Sequence, residues 1–497
     1  MMESSAVSIT KMVNPKKRKD LEEDRGGIDI LSDSVLIHIL SLMPIKDAAR
    51  MVLFPRLRQL WTHVHTLSFD HCSYHYREDS TDAPECKEKF LNFVHQVIIL
   101  HESSTLEKFH LNIKFNLHYS KWYNPKYECY AKEEKKIANE IETWLLFATR
   151  KNVKVLDINL QGCGLFEPDY NYKLPIIALT NKHLVELKLV CCDIEPKRNL
   201  HLSSLRKLSL TNALLNDRIL DDLLVGCPLL EELSLISCHD FHKLNIANPN
   251  VKKVVVEITH FDKDQRLEIH CPKITSFYLS GCVNGLDLVN ITSLVYADIC
   301  FSLHQLRPSE NYAEVLMKLG NLKAFATSDD CVLTLAVWNR LCGTFNWKCL
   351  ELKVELCKWH LPGISSLLKN SVCLETLYLY IQPLSDNFFR YAKFIRWLQA
   401  CDFDGENYWK LGKDNFRCLT YHLKTVNIYG CITKPYVIQL IEFLLKNAAV
   451  LEKMVIDSKK KLPHSVNKDI TSDELLEMSR KILSFPRASS QAVVHLC

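Results

Sequence analysis

The residues of this 497-residue chain best able to do chemistry are its twenty cysteines and twenty histidines. Such residues hold zinc when four of them converge at fixed spacing, most often through C-x-x-C pairs. No C-x-x-C pair occurs anywhere in the sequence. Cys72 and His75, with His71 and Cys86 nearby, come closest to a metal cluster, and they read as loop residues, so no metal is expected. Phosphate chemistry needs a glycine-rich cradle, and among 13 glycines neither G-x-x-x-x-G-K-[ST] nor G-x-G-x-x-G is found. A catalytic thiol would need an electropositive, exposed setting, and the sequence points to none. The expectation is a chain with no catalytic residue and no cofactor.

Composition narrows the classes further. Apolar residues make up 47% of the chain, enough to bury a large core. Lys+Arg 62 against Asp+Glu 58 leaves a net charge of +4, too balanced for the whole chain to bind nucleic acid electrostatically. No run of eighteen apolar residues predicts a membrane span, and the N-terminus lacks a secretory apolar region, so an intracellular protein is expected. Lys16, Lys17, Arg18 and Lys19 form a compact basic cluster of the kind read by nuclear import, or else a solvated charge run, which gives nucleus or cytoplasm as the expected location.

The cysteines acquire a positional reason once the apolar spacing is read. Apolar residues at i, i+3 and i+5 recur as Leu106/Phe109/Leu111, Val153/Leu156/Ile158, Leu184/Leu187/Leu189, Leu205/Leu208/Leu210 and Leu230/Leu233/Leu235. The series continues through Val251, Ile274 and Leu294, loosely at Leu322/Phe325, and again at Leu374, Leu423 and Leu451. Between 184 and 294 the steps are 21, 25, 21, 23 and 20 residues, the period of leucine-rich repeats. Each unit supplies one strand and cannot bury its apolar face without neighbours. Asn or Cys is wanted three residues after the last strand leucine, and Cys192, Cys238, Cys282 and Cys431 stand there. Cys357 takes the same place if a unit starts at Cys349. These thiols read as small buried groups rather than nucleophiles.

The elements that carry this pattern follow. Residues 132–149 fit an amphipathic helix with Ile137, Ile141, Trp144, Leu145 and Ala148 on one face. Residues 219–225 fit a shorter helix ended by Gly226 and Pro228. The fold class is therefore an α/β repeat, an irregular solenoid of parallel strands in an arc with helices on the convex side. Its concave face displays the residues between the strand leucines, among them Lys188, Lys207, Glu232, Tyr278, Tyr378, Tyr380 and Tyr429, the candidate partner contacts. Aromatic side chains on such a face anchor protein partners, although tyrosine is also simply a good strand residue.

The N-terminal region differs from the repeats. Val35, Leu36, Ile39, Leu40 and Met43 share a helical stripe, Ser32 and Asp33 offer an N-terminal cap, Pro44 stops the helix and Asp47 favours the next. Leu57, Leu60, Trp61 and Val64 give a third helical spacing. So small a unit must lean on something else, either a partner or the first repeat, which it would cap. Residues 24–61, DRGGIDILSDSVLIHILSLMPIKDAARMVLFPRLRQLW, resemble the F-box of plant F-box/leucine-rich-repeat proteins. Residues 422–431, 443–456 and 485–494 are similar to the FBD segment that closes many of these proteins, and 226–238, GCPLLEELSLISC, to their middle repeats.

The resemblance implies a leader over 1–23, an F-box over 24–70, repeats over 71–415 and an FBD-like closing segment over 416–497. It implies a non-catalytic adaptor. The F-box would dock a Skp-type subunit of a cullin–RING ubiquitin ligase, and the repeats would hold the protein to be ubiquitinated. Carried over by position, the adaptor-facing set is Leu31, Ile39, Leu40, Pro44 and Trp61. Two departures stand out. Leu31-Ser32 replaces the family's Leu-Pro, and Pro55-Arg56-Leu57-Arg58 is one residue shorter than the family's S-K-R-W-R before Leu60-Trp61. An alternative is a repeat scaffold whose altered F-box no longer recruits a ligase.

Overall fold

In a computed structural model of the protein, the described residues are 30–71, 83–113, 127–161, 171–195, 200–241, 243–259, 266–281, 285–301, 311–338, 343–383, 405–411, 415–458 and 472–497. The basic cluster at 15–19, Cys72, His75 and Cys282 lie outside them. The chain divides into two compact units, Met1–Gly164 and Leu165–Cys497.

The first unit opens with the helical hairpin. Helix α1 (Asp33–Ser41) and helix α2 (Ile45–Arg50) meet at Pro44, whose fixed backbone and missing N–H suit a helix start. The third segment winds into short 3-10 turns at Met51–Leu53 and Leu60–His63. Ser32 occupies the cap position of α1, but its hydroxyl pairs with the Ser34 hydroxyl at 3.0 Å instead of a helix N–H. Arg56 fastens this end: its guanidinium donates to the Leu31 carbonyl at 2.7 Å and to Asp33 at 3.2 Å. The expected apolar stripe of α1 splits. Leu36 and Leu40 face inward with Ile45, Ala48, Leu57 and Trp61, whereas Val35 and Ile39 are exposed. The inward seam is narrow because a nine-residue helix against one short partner can cover only part of its circumference.

Behind the hairpin stand strands β1 (Thr66–Asp70), β2 (Lys108–Asn112) and β3 (Val155–Asn159), parallel and in register through Leu67, Phe109 and Leu156. Val64, Leu67 and Phe69 have the i, i+3, i+5 spacing too, so a first repeat strand lies inside the segment assigned to the F-box. Helix α3 (Ala83–Leu100) and helix α4 (Tyr127–Arg150) cover these strands. Ile137, Ile141, Trp144, Leu145 and Ala148 of α4 are all buried, as their spacing requires.

The second unit is a longer parallel ladder with strands in chain order. They are β4 (Glu186–Val190), β5 (Lys207–Thr211), β6 (Glu232–Ile236), β7 (Lys253–Ile258), β8 (Ser276–Gly281) and β9 (Tyr296–Phe301). Then come β10 (Ala324–Ser328), β11 (Cys349–Val354), β12 (Thr376–Ile381), β13 (Thr425–Gly430), β14 (Lys453–Asp457) and β15 (Val493–Leu496). Alternate residues point inward, and the predicted leucines at these positions are buried throughout. Burying one such side chain contributes about 1.5–3 kcal/mol, so stability is spread along the ladder.

The backing of the ladder varies with connection length. Helix α5 (Asp217–Gly226) forms as its spacing predicts, with Asn216 capping the Ile219 N–H at 2.9 Å. After β6, β7 and β8 the shorter connections form extended segments, Lys243–Asn245, Arg266–His270 and Gly285–Val289, which pair as a second parallel layer. Leu244, Leu267 and Ile269 are buried there, so strands replace helices where too few residues are left to wind one. Helices α6 (Asn311–Lys318), α7 (Asp329–Trp338) and α8 (Leu361–Asn370) return in the longer repeats.

Two positions break the leucine pattern for visible reasons. The unit read as Leu322/Phe325 has Thr327 in its third place, fully buried, its hydroxyl bonded to the Ile299 carbonyl at 2.9 Å and to Tyr312 at 3.0 Å. In the next unit Leu352 aligns with Leu379, so the triplet is Trp347, Leu350 and Leu352. The Asn/Cys place of that repeat is therefore Glu355, and Cys357 is out of register by two residues. The sequence reading misplaced it because tryptophan at the first position conceals the triplet. Cys357 instead caps the turn leading into α8: its N–H donates to His360 Nδ1 at 3.1 Å, and Asp329 lies 2.7 Å from His360 Nε2.

Candidate protein-interaction surfaces

The first surface belongs to the helical hairpin. Leu40 and Trp61, expected to face an adaptor, are 3% and 8% exposed and belong to the hairpin's own core. Ile39 and Pro44 are exposed, and Leu31 is half-buried under the Arg56 clamp. The apolar side chains actually displayed are Ile30, Val35, Ile39 and Leu42 on one side, with Val52, Leu53 and Phe54 on the turn after α2. Leu42 is 74% and Leu53 69% exposed, values a free-standing domain of this size has no reason to tolerate in a cluster. Helical spacing named the residues of the hairpin, but which of its sides faces inward depends on packing.

The second surface is the open face of the second unit, the side away from the buried leucines. Strand register fixes its rows. Lys207 stands beside Glu232, and their side chains pair at 2.8 Å. Lys188 is exposed at the same end. Tyr278 neighbours Asp298, Tyr378 neighbours Asn427, and Tyr380 neighbours Tyr429. Every residue expected on this face is there. They form two groups, charged residues on β4 to β6 and tyrosines on β8, β12 and β13.

Between the tyrosines lies a cluster that the sequence reading missed. Ala324, Ala326 and Ser328 make β10 a strand of small outward residues, so side chains on β9 and β11 reach over it. Lys353 of β11 pairs with Asp298 of β9 across that gap. Burial opposes the Lys353 charge, but the hydrogen bond and charge of Asp298 more than offset it and raise its pKa. Cys300 also donates to Asp298 at 3.3 Å. Glu351, two residues before Lys353 and on the same face, has no hydrogen bond or ion pair among the described residues, and burial raises its carboxyl above the usual range. Tyr278 and Tyr296 lie 5.3 Å apart on one side, and Tyr380 stacks on Tyr429 at 5.4 Å on the other. Burial pushes the Tyr380 hydroxyl up to about 12, so it stays a neutral donor. The alternation that named Tyr278 and Tyr378 also names Tyr296, Asp298, Glu351 and Lys353; the pairing across β10 needs the register.

Among the described thiols, Cys357 Sγ lies 3.2 Å from His360 Nδ1 in the turn that it caps, and the others hold no comparable site. Cys192 and Cys238 are buried, and Cys238 donates to the Leu210 carbonyl at 3.5 Å. Cys431 is half-buried. Cys271 and Cys418, which the repeat pattern did not single out, make the same kind of contact, to the carbonyls of Val251 at 3.3 Å and Leu368 at 3.1 Å. Burial pushes the Cys227, Cys238 and Cys418 thiols up to about 12, away from nucleophilic reactivity. Among the described residues no group of His, Cys, Asp and Glu is arranged to hold a metal ion, and no helix is long and apolar enough to cross a membrane.

A parallel ladder whose strands from Glu186 to Tyr296 follow one another at 20 to 25 residues, preceded by a helical hairpin, defines a leucine-rich-repeat protein. The family described as At1g61320/AtMIF1, LRR domain, matches residues 121–495, and the chain belongs to these plant F-box/leucine-rich-repeat proteins. It is similar to three proteins of Arabidopsis thaliana. The putative F-box/LRR-repeat protein At5g02930 is 24% identical over 472 residues, 89% of each chain. The putative F-box protein At1g49610 is 29% identical over 371 residues, 72% of this chain and 85% of that one. The F-box/FBD/LRR-repeat protein At1g13570 is 24% identical over 488 residues, 95% of this chain and 98% of that one.

Proposed function

We propose that this protein is the substrate-recognition subunit of an SCF-type ubiquitin ligase. The hairpin docks a Skp-type adaptor, and the open face of the ladder holds the protein to be ubiquitinated. The observation that supports this reading most is the cluster of exposed apolar side chains on a hairpin too small to expose them without a partner. The docking set differs from the one carried over by resemblance. Ile39 and Pro44 remain in it, Leu42, Leu53 and Phe54 join it, and Leu40 and Trp61 support it from beneath. The role is proximity: the receptor raises the effective concentration of substrate lysines near a charged conjugating enzyme and needs no catalytic residue of its own.

The two departures from the family pattern fall where Arg56 acts. Its bonds to Leu31 and Asp33 hold the start of α1 in place of the missing proline, which favours a working dock over the scaffold alternative. The test is co-expression with a plant Skp-type adaptor, wild type beside Leu42→Asp/Phe54→Asp. Both positions are exposed, so the variant should fold, which an unchanged melting temperature would establish. Capture of wild type with loss of the variant is expected. Capture of neither would favour a scaffold that binds proteins through the ladder without recruiting a ligase.

A further inference from the structure

We propose that the open face of the ladder contains a subsite for an arginine side chain of the bound protein, centred on Glu351 and walled by the tyrosines of β8, β9, β12 and β13. The inference deepens the reading above and rests on this face being the one that holds the partner protein.

Among Asp298, Glu351 and Lys353 the charges do not balance. Asp298 and Lys353 satisfy one another across the small residues of β10, and Cys300 adds a donor to Asp298. Glu351 is half-buried and makes no hydrogen bond or close ion pair among the described residues, and the Lys353 charge offsets its burial only in part. A partly desolvated carboxylate that makes no hydrogen bond is costly, and a cation arriving from outside offsets that cost. An anion is disfavoured, because Lys353 is already paired and Glu351 stands beside it. The walls favour the same charge. Tyr378 is the register neighbour of Glu351 and Tyr380 that of Lys353, and both rings lie nearly parallel, with 8° between their planes. Lys253 already places its ammonium 5.5 Å from the centre of the Tyr278 ring, so one ring of the group carries a cation within the chain itself. A guanidinium suits the combination best: it stacks flat on a tyrosine ring while its N–H fork meets a carboxylate, which an ammonium does less well.

The experiment uses the full chain and capped hexapeptides carrying two arginines, two lysines or two glutamates among glycines, with binding followed by saturation-transfer NMR and titration. The arginine peptide is expected to bind, the lysine peptide more weakly, and the glutamate peptide not at all. Glu351→Gln keeps the shape and removes the charge, and should weaken arginine-peptide binding about tenfold, as for loss of one charged hydrogen bond. Tyr378→Leu should lower arginine binding more than lysine binding. Equal binding by wild type and Glu351→Gln, or equal binding of arginine and glutamate peptides, would overturn the subsite, as would lysine binding as tight as arginine. Adaptor capture is measured on the same Glu351→Gln protein. Retained capture with lost peptide binding supports the subsite. Peptide binding that persists in a chain the adaptor never captures would sink the ligase reading and leave the subsite standing.

Discussion

Glu351 illustrates how single residues trade stability against binding on this surface. Burial raises its carboxyl in the folded chain above the unfolded value, so the folded state holds its proton more tightly. The ionised form therefore costs stability at neutral pH, and the cost is relieved as pH falls through the raised value toward the ordinary carboxylate range. Glu351→Gln should melt above wild type at pH 7, and the two curves should converge below about pH 4, where both side chains are neutral. A Gln variant no more stable at pH 7 would show that the carboxylate is solvated. In the hairpin, neighbours on one helix should behave oppositely. Leu40→Ala removes a side chain that is 3% exposed and should cost about 2–4 kcal/mol in urea unfolding. Leu42→Ala, on a side chain 74% exposed, should stay within about 0.5 kcal/mol while still reducing adaptor capture. Equal losses would mean that the hairpin packs the other way round.

The repeat with Trp347 shows what an element needs beyond its pattern. Trp347 is fully buried between Phe325 and Phe345, with ring centroids 4.4 and 4.1 Å away, and its indole N–H donates to the Leu319 carbonyl at 2.8 Å. Trp347→Ala should therefore cost about 3–5 kcal/mol, read as a lower urea midpoint, and Trp347→Phe should recover part of it. A close approach of helices sets a second constraint. A side chain at Gly363 of α8 would place its first carbon 2.1 Å from the Val332 carbonyl of α7. Helix propensity alone would make Gly363→Ala stabilising by about 1 kcal/mol. The contact reverses the sign, so a lower melting temperature is expected. The helices α4 and α5 were legible in apolar spacing, because a face of period 3.6 has one way to be buried. The second layer of short strands was not legible. Three-to-five-residue segments carry too little periodicity to tell strand from loop, and their pairing is with one another across repeats.

For the molecule as a whole, thiol protection reports the integrity of the ladder. Cys227, Cys238, Cys271 and Cys418 are buried in different repeats, whereas Cys497 is exposed. Of these five, native alkylation at pH 8 should label Cys497 first and leave the other four intact until urea unfolds the chain, since burial holds their thiols at about 11 to 12. Early labelling of one of the four would locate a repeat that opens alone. The sequence by itself determined the repeat period, the strand positions, the buried face of α4 and the set of side chains on the open face, because alternation within a strand is a local property of the backbone. It also carried the hairpin and its family resemblance in contiguous residues. Only the tertiary structure decided that Leu40 and Trp61 face inward, that Cys357 caps a helix rather than filling a repeat position, and that Asp298 and Lys353 pair across β10 while Glu351 makes no hydrogen bond or close ion pair among the described residues. The pairing across β10 depends on residues 25 to 55 positions apart meeting in one register, and no local spacing encodes which of them will be neighbours.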